Sequence, residues 1–240
     1  MISIVVVTHN RLDYTKRCIE SIFNYTDRDS ELIVIDSGST DKTAEWLSSI
    51  RPGNRILNVQ IEVFTSNVGA AIAYNAGFEK AAEHTIIRVD NDILVPPGWL
   101  STMVAALESD SKLGMLSTEL ITDLTKESPG IQLPTRIDYF DQPVWHDAGL
   151  GSWCMAIRRN VFDQVGYYRD RFGVYALQDN DLEKRAQNAG WKIGYLHGLK
   201  VGHLYSMSTS EEIEYNRWKI AEYNTQIEKW NQVWKTQEGI

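Results

Sequence analysis

A chain of 240 residues, 43% of them hydrophobic, with a formal net charge of −8 holds enough apolar material for one large domain or a domain with an appended arm. That composition excludes an intrinsically disordered chain. The absence of any dense Lys/Arg run excludes nucleic-acid binding by bulk charge. Cys18 and Cys154 stand far apart, at no metal-binding spacing, and read as buried thiols of a reducing compartment. No stretch approaches the roughly 20 apolar residues of a membrane span, so a cytoplasmic location without a transmembrane segment is expected.

Ile2–Val7 is β-branched on both faces and reads as a buried strand, ended by Thr8, His9 and Asn10. A helix is predicted from Asp13 to about Tyr25, with Cys18, Ile19 and Ile22 on one face. Glu31–Asp36 is the second strand. Ser37-Gly38-Ser39-Thr40-Asp41 turns the chain into a helix running to about Ser49. Val59–Phe64 is the third strand, Ala70 to Ala82 an Ala-rich helix, and Thr85–Val89 the fourth strand. Four alternations of strand and helix at this spacing fit parallel right-handed crossovers. No Gly-x-Gly-x-x-Gly and no Gly-x-x-x-x-Gly-Lys-Ser/Thr appears, which argues against a nicotinamide-type Rossmann domain and a P-loop.

Past Pro97 a helix is predicted to Glu108, then a strand at Leu113–Leu116. Thr122 to Asp147 is polar, carries Pro129, Pro134 and Pro143, and reads as a long loop with one short strand. Gly149–Arg159 reads as a Gly-rich loop feeding a strand, and Asp179 to Ala189 as a helix closed by Gly190. Lys192–Leu196 and Leu199–His203 read as two short strands forming a hairpin or an edge. Ser210 to about Lys235 has no Pro or Gly and reads as a long helix. Ile213, Ile220, Ile227 and Trp234 recur every seven residues along it, a seam for a homodimer or for packing on its own domain.

Asp90 and Asp92 follow the fourth strand directly, where an open α/β sheet presents its crevice. Two carboxylates so close repel unless a cation lies beside them, and hard oxygen ligands suit Mg²⁺ or Mn²⁺. Thr8, Asn10, Asp36, Asp41 and Asn67 end the other strands on the same rim. Each alone reads as a turn or cap residue, but together they form a small-ligand crevice.

With these motifs the chain resembles family 2 glycosyltransferases of GT-A fold, an α/β architecture with a mostly parallel sheet flanked by helices. The likeness runs from Ile2 to about His203. It rests on Val6-Val7-Thr8-His9-Asn10, Ile35–Asp41, Asn67-x-Gly69, Asn75-x-Gly77, Val89–Asp92 and Gln178–Leu182. It implies a GT-A domain over 1–208, its nucleotide-binding half over 1–95 and its acceptor-binding half over 96–208, and a helical arm over 209–240. It implies a metal-dependent, inverting transfer from a nucleotide-diphosphate sugar, commonly a UDP-sugar, to a glycan or other hydroxyl acceptor in cell-surface polysaccharide assembly. Under it Thr8 and Asn10 line the base pocket, Asp36 accepts from the base, Asn67 touches base or ribose and Asp90 contacts ribose. Asp92 binds Mn²⁺ or Mg²⁺, with His203 as a further ligand and His197 as its competitor.

Asp179 aligns with the family's catalytic base, and a carboxylate there is chemically apt because a sugar hydroxyl needs its proton withdrawn. Asp181 is expected to cap or support. Ser37 and Gln178 stand where relatives often have Asp and Glu. Trp153 reads as an acceptor platform or as core. Glu214-x-x-Arg217-Trp218 is similar to the Gln-x-x-Arg-Trp of polymer-forming relatives, and without membrane helices it reads as a chance or vestigial match. Acceptor contacts are expected from 117–150 and 170–178. Two rivals remain. One is a sugar nucleotidyltransferase, disfavoured because Thr8-His9-Asn10-Arg11 lacks its Gly-rich basic loop. The other is a nucleotide-sugar-binding domain without turnover.

Overall fold

A computed structural model describes residues 1–140, 150–170, 177–204 and 210–235. In chain order the first elements are β1 (Ile2–Thr8), α1 (Leu12–Tyr25), β2 (Ser30–Asp36), α2 (Thr43–Leu47), β3 (Ile56–Val63), α3 (Ala70–Lys80) and β4 (Thr85–Asp90). Then come β5 (Ile93–Leu94), α4 (Trp99–Glu108), β6 (Leu113–Ile121), β7 (Gly130–Phe140), β8 (Cys154–Arg158), α5 (Arg159–Val165), α6 (Gln178–Asn188), β9 (Lys192–His203) and α7 (Ser210–Lys235). The described strands form one mixed sheet, ordered β3-β2-β1-β4-β8-β6-β9-β5, with β7 also on β9. β1 pairs parallel with β2 and β4, and β2 parallel with β3. β8 enters antiparallel between β4 and β6.

Both faces of the central strands are covered, which is why their sequences are continuous apolar runs rather than alternating ones. Ile4, Val6, Leu32, Val34, Ile87 and Val89 pack toward α1 and α4, with Cys18, Ile19, Leu100 and Met103. Val5, Ile33, Ile35 and Ile86 point the other way, to Tyr74 and Phe78 of α3 and Leu182 and Ala186 of α6. Small residues let α3 lie close on the sheet: a Cβ at Gly77 would stand 2.4 Å from Val5 Cγ1.

Two expectations are corrected in the second half. Lys192–His203 is one strand inside the sheet, parallel to β6 and antiparallel to β7 and β5, not a hairpin. Its register slips past β6 between Thr118 and Glu119, opposite Gly198 at φ +89°, where a Cβ would meet Gln132 O at 2.4 Å. A bulge of that kind needs glycine and mimics a turn in sequence. Gly130–Phe140, expected within a long loop with one short strand, is the long strand β7. Its tip at Gln132, Leu133 and Pro134 is exposed and falls in a register shift between Ile131 and Arg136, where a proline breaks no ladder bond. The parts of the expected acceptor segments at 141–149 and 171–176 lie outside the described residues.

Candidate active site

The carboxyl ends of β1 to β4 open on a cavity of about 350 Å³, walled by Thr8, Asn67, Asp90, Asp92, Asp179 and His203 among others. An adjoining hollow of about 950 Å³ is lined by Asn10, Tyr14, Asp41, Asn67 and Trp218. β1 ends at buried Thr8, whose Oγ1 lies 2.8 Å from Thr15 Oγ1 and accepts from Asn91 Nδ2 at 3.2 Å. Asn10 and Arg11 follow at φ 55° and 61°, two left-handed residues in succession. Such backbone is costly away from glycine and is held here by side-chain bonds. Asn10 Oδ1 accepts from the Thr40 amide at 2.7 Å, and the turn carries Arg11 back to the crevice.

Asp36 is fully buried at the end of β2, lines neither cavity, and accepts from the Ser39 amide at 2.8 Å through Oδ1. Its Oδ2 has no hydrogen-bond partner among the described residues. Ser37 Oγ donates to Asn67 Oδ1 at 3.1 Å and accepts from the Val68 amide at 3.0 Å, so this hydroxyl secures the Asn67 loop.

β4 delivers Asp90, whose Oδ1 accepts from Tyr74 Oη at 2.6 Å and from Arg88 Nη2 at 3.1 Å. Burial pushes its carboxyl above the usual range against the opposing Arg88 charge, and Asp92 adds to the rise. Asp92 is placed differently. Ile93 of β5 pairs with His203 of β9, and Leu204 N donates to Asp92 O at 2.8 Å. This ladder sets Asp92 Oδ2 3.4 Å from His203 Nε2 and 3.1 Å from Arg11 Nη1. Burial would raise the Asp92 carboxyl, but the His203 hydrogen bond and the charges of His203, Arg11 and Lys219 outweigh it and hold the group low.

Asp92 and His203 thus set one oxygen and one nitrogen side by side on the cavity wall, while Asp90 is turned toward Arg88 and Tyr74. Among the described residues no cluster of three or more His, Cys, Asp or Glu is arranged to hold a metal. The donor set fits a hard cation as part of a coordination sphere, the remainder falling to ligand oxygens and water. His197 is engaged elsewhere, with Glu119 Oε1 at 2.8 Å and Asp138 Oδ2 at 2.8 Å.

α6 starts from Leu177 at φ 66°, another non-glycine residue in left-handed backbone. The cap residue Leu177 makes no side-chain cap hydrogen bond, and Asp179, in the first turn, lines the cavity. Its Oδ1 accepts from Arg88 Nη1, and its Oδ2 accepts from Ser152 Oγ at 2.7 Å and Gln178 Nε2 at 3.4 Å. Asp181 is fully buried and its Oδ2 accepts from Arg185 Nε at 2.8 Å. Arg185 in turn donates to the carbonyls of Val165, Gly166 and Tyr167, tying α6 to the loop before Tyr168. Glu183, a turn beyond Asp179, is also buried. Burial, with the Asp179 charge adding, pushes its carboxyl up to about 8, while a Leu150 amide bond and Arg88 oppose.

Sequence reasoning passed over Arg88 and Ser152. A lone arginine inside Ile86-Ile87-Arg88-Val89 was the available signal, because a charge within a buried strand requires a partner. Ser152 gave none. Trp153 donates from Nε1 to Thr118 O at 2.9 Å and packs on the core rather than lining the cavity. Trp218, Lys219 and Tyr223 of α7 line the cavity, placing Trp218 of the Glu-x-x-Arg-Trp motif at the crevice, while Ile213 and Ile220 of the seam are exposed. Burial draws the Lys219 ammonium down, with Asp92 and Asp90 opposing.

A family model described as glycosyl transferase family 2 matches residues 3–166. The chain belongs to glycosyl transferase family 2. This family 2 chain is similar to an uncharacterized glycosyltransferase of Haemophilus influenzae, 28% identical over 88% of the chain and 70% of that protein. The solved mannosyltransferase PcManGT of Pyrobaculum calidifontis, in complex with GDP-Man and Mn²⁺, shares its fold at TM-score 0.68 and 18% identity, over 94% of this chain and 62% of that one. S. aureus TarS 1–349 in complex with UDP-GlcNAc does so at TM-score 0.63 and 16% identity, over 92% and 66%. The GT-A fold expected from the sequence is therefore the fold observed. Some relatives are longer: the chain spans 28% of a Sinorhizobium fredii protein and 52% of a Nostoc glycosyltransferase. No described helix is long and apolar enough to cross a membrane.

Proposed function

We propose that the chain transfers a sugar from a nucleotide-diphosphate donor, a UDP-sugar, to the hydroxyl of a glycan acceptor, with inversion at the anomeric carbon. The observation that carries this reading is one cavity walled by both Asp179 and the Asp92–His203 pair, a base and a cation-binding pair on a shared space. Asp179 takes the acceptor proton as its oxygen attacks the anomeric carbon, and the bond to the donor β-phosphate breaks. Asp92 and His203 would hold Mn²⁺ or Mg²⁺, which when bound would supply positive charge to the leaving diphosphate. Thr8, Asn10 and Asn67 contact the nucleoside and Asp90 accepts from its ribose, while Asp36, expected to accept from the base, is buried behind the cavity and supports the turn through the Ser39 amide. UDP is supported by the family resemblance and by the neighbour that holds UDP-GlcNAc, while another holds GDP-Man. Residues 1–95 act as the donor half and 96–208 as the acceptor half. Cell-surface polysaccharide assembly in the cytoplasm is the setting this chemistry suits.

Asp179→Asn is expected to keep donor affinity and lose transfer by about 10²- to 10⁴-fold, and a variant turning over at the wild-type rate sinks the base role. Asp92→Ala is expected to lose the Mn²⁺-dependent part of UDP binding. Calorimetry showing equal binding with and without Mn²⁺ in the parent protein would remove the cation from the reading. Binding without turnover is the second reading, favoured by the occupation of both Asp179 oxygens by protein donors. Release of free sugar from UDP-sugars by the purified protein excludes it.

A further inference from the structure

Arg88 lies within β4 with 4% of its surface exposed. Its Nε and Nη2 donate to Asp90 Oδ1 at 3.3 and 3.1 Å. Its Nη1 donates to Tyr168 Oη at 2.8 Å and to Asp179 Oδ1. Its Cζ sits 4.1 Å from the centre of the Tyr74 ring, and the hydroxyl of that tyrosine donates to the same Asp90 oxygen. A guanidinium keeps its proton in any protein environment and presents its donors in a rigid fork. One fixed cation therefore joins the carboxylate assigned to the donor ribose and the carboxylate assigned as base.

The two oxygens of Asp179 are held unequally. Oδ1 faces Arg88, which is locked by its other partners. Oδ2 faces the hydroxyl of Ser152 at 2.7 Å and, at the longer distance of 3.4 Å, Gln178 Nε2, and a serine hydroxyl leaves by rotation about χ1. That contact, a hydroxyl donating to a carboxylate oxygen, is the one an acceptor hydroxyl makes before it gives up its proton. Ser152 thus stands where the nucleophile is to stand, and only the Oδ2 side can be vacated without breaking a buried ion pair.

We propose that Arg88 is a positioning residue: it pins Oδ1 of Asp179 so that Oδ2 is presented to the acceptor hydroxyl, and through the same guanidinium it fixes Asp90 for the donor. The proposal rests on the reading of Asp179 as base. Lysine keeps the charge but not the fork, so Arg88→Lys is the informative change. Misplacing a reacting group by an ångström costs about 100-fold, and a kcat loss of that order is expected, with donor KM rising only a few fold.

The deciding measurement is a cycle with Asp179→Asn. If Arg88 acts through Asp179, adding Arg88→Lys to Asp179→Asn lowers the residual kcat by less than about threefold. Losses that multiply, or an unaffected kcat in Arg88→Lys alone, overturn the positioning role and leave the base assignment standing. Full transfer by Asp179→Asn overturns the base assignment, and the positioning role with it. Should Arg88→Lys fail to fold, Tyr168→Phe in the same cycle with Asp179→Asn decides, since it removes the hydroxyl that accepts from Nη1 and also lies beside Asp179. A fall in kcat at unchanged donor KM supports the proposal, and an unchanged kcat overturns it.

Discussion

Glu183→Gln is the substitution whose effect the structure specifies best. Glu183 is 3% exposed, and burial together with the nearby Asp179 charge pushes its carboxyl up to about 8 from an ordinary 4.5. Between those values the folded chain keeps a proton that the unfolded chain has released. The folded state then binds more protons, so stability falls as pH rises through this window and is fully present only below it. A shift of this size corresponds to a loss on the order of 5 kcal/mol once the group is ionised. Glutamine mimics the protonated acid in shape and carries no charge. The wild type and variant should therefore be close in stability near pH 5 and separate by about 4 kcal/mol at pH 9, the variant being the more stable. For a chain of this length that is a difference of roughly 10 °C in melting temperature. Thermal and urea unfolding of both proteins across pH 5 to 9 measure it, and the difference between the two curves cancels the titrating groups not coupled to Glu183. Parallel curves would refute the reasoning, because a Glu183 that ionises normally in the fold gives no pH-dependent gap.

Asp181→Ala leaves Arg185 buried without its carboxylate and should cost about 3–5 kcal/mol in urea unfolding; a loss under 1 kcal/mol would show that the carbonyls of the 165–167 loop suffice for Arg185. Gly77→Ala drives a methyl group into Val5 and should destabilise by about 1–3 kcal/mol while donor KM stays unchanged, since Gly77 packs behind the crevice rather than on it. Trp218→Ala should raise donor KM about tenfold with little change in melting temperature, removing one indole from the shared wall of both cavities. An unchanged KM detaches α7 from donor binding.

β1, β2 and β4 were legible because each is buried on both faces, so Ile2–Val7 and Glu31–Asp36 could hardly be read as anything else. Their terminal polar residues announced the crevice for the same reason: a strand that must stay apolar stops where the polar side chains begin. β7 was illegible because it lies at the margin of the sheet with half-exposed polar positions and a proline in its register shift. β9 looked broken because Gly198 supplies a bulge that in sequence resembles a turn. The partnership of Arg88 with Asp179 and Ser152 crosses the fold between segments with no local pattern in common. The sequence shows that Arg88 needs a partner but not which one. The presence of Trp218 in the crevice was equally hidden, since the direction of a terminal helix is set by packing and not by its own periodicity.

The short ladder between Ile93 and His203 has an architectural meaning as well as a local one. It shuts the neck of a long excursion of chain that leaves the crevice after Asp92 and returns at His203. Within that excursion, segments can lengthen, shorten or change composition while the oxygen and nitrogen at the neck keep their separation. Exposed turns of the excursion, such as the 132–134 tip of β7, are where such change leaves the sheet and the neck intact.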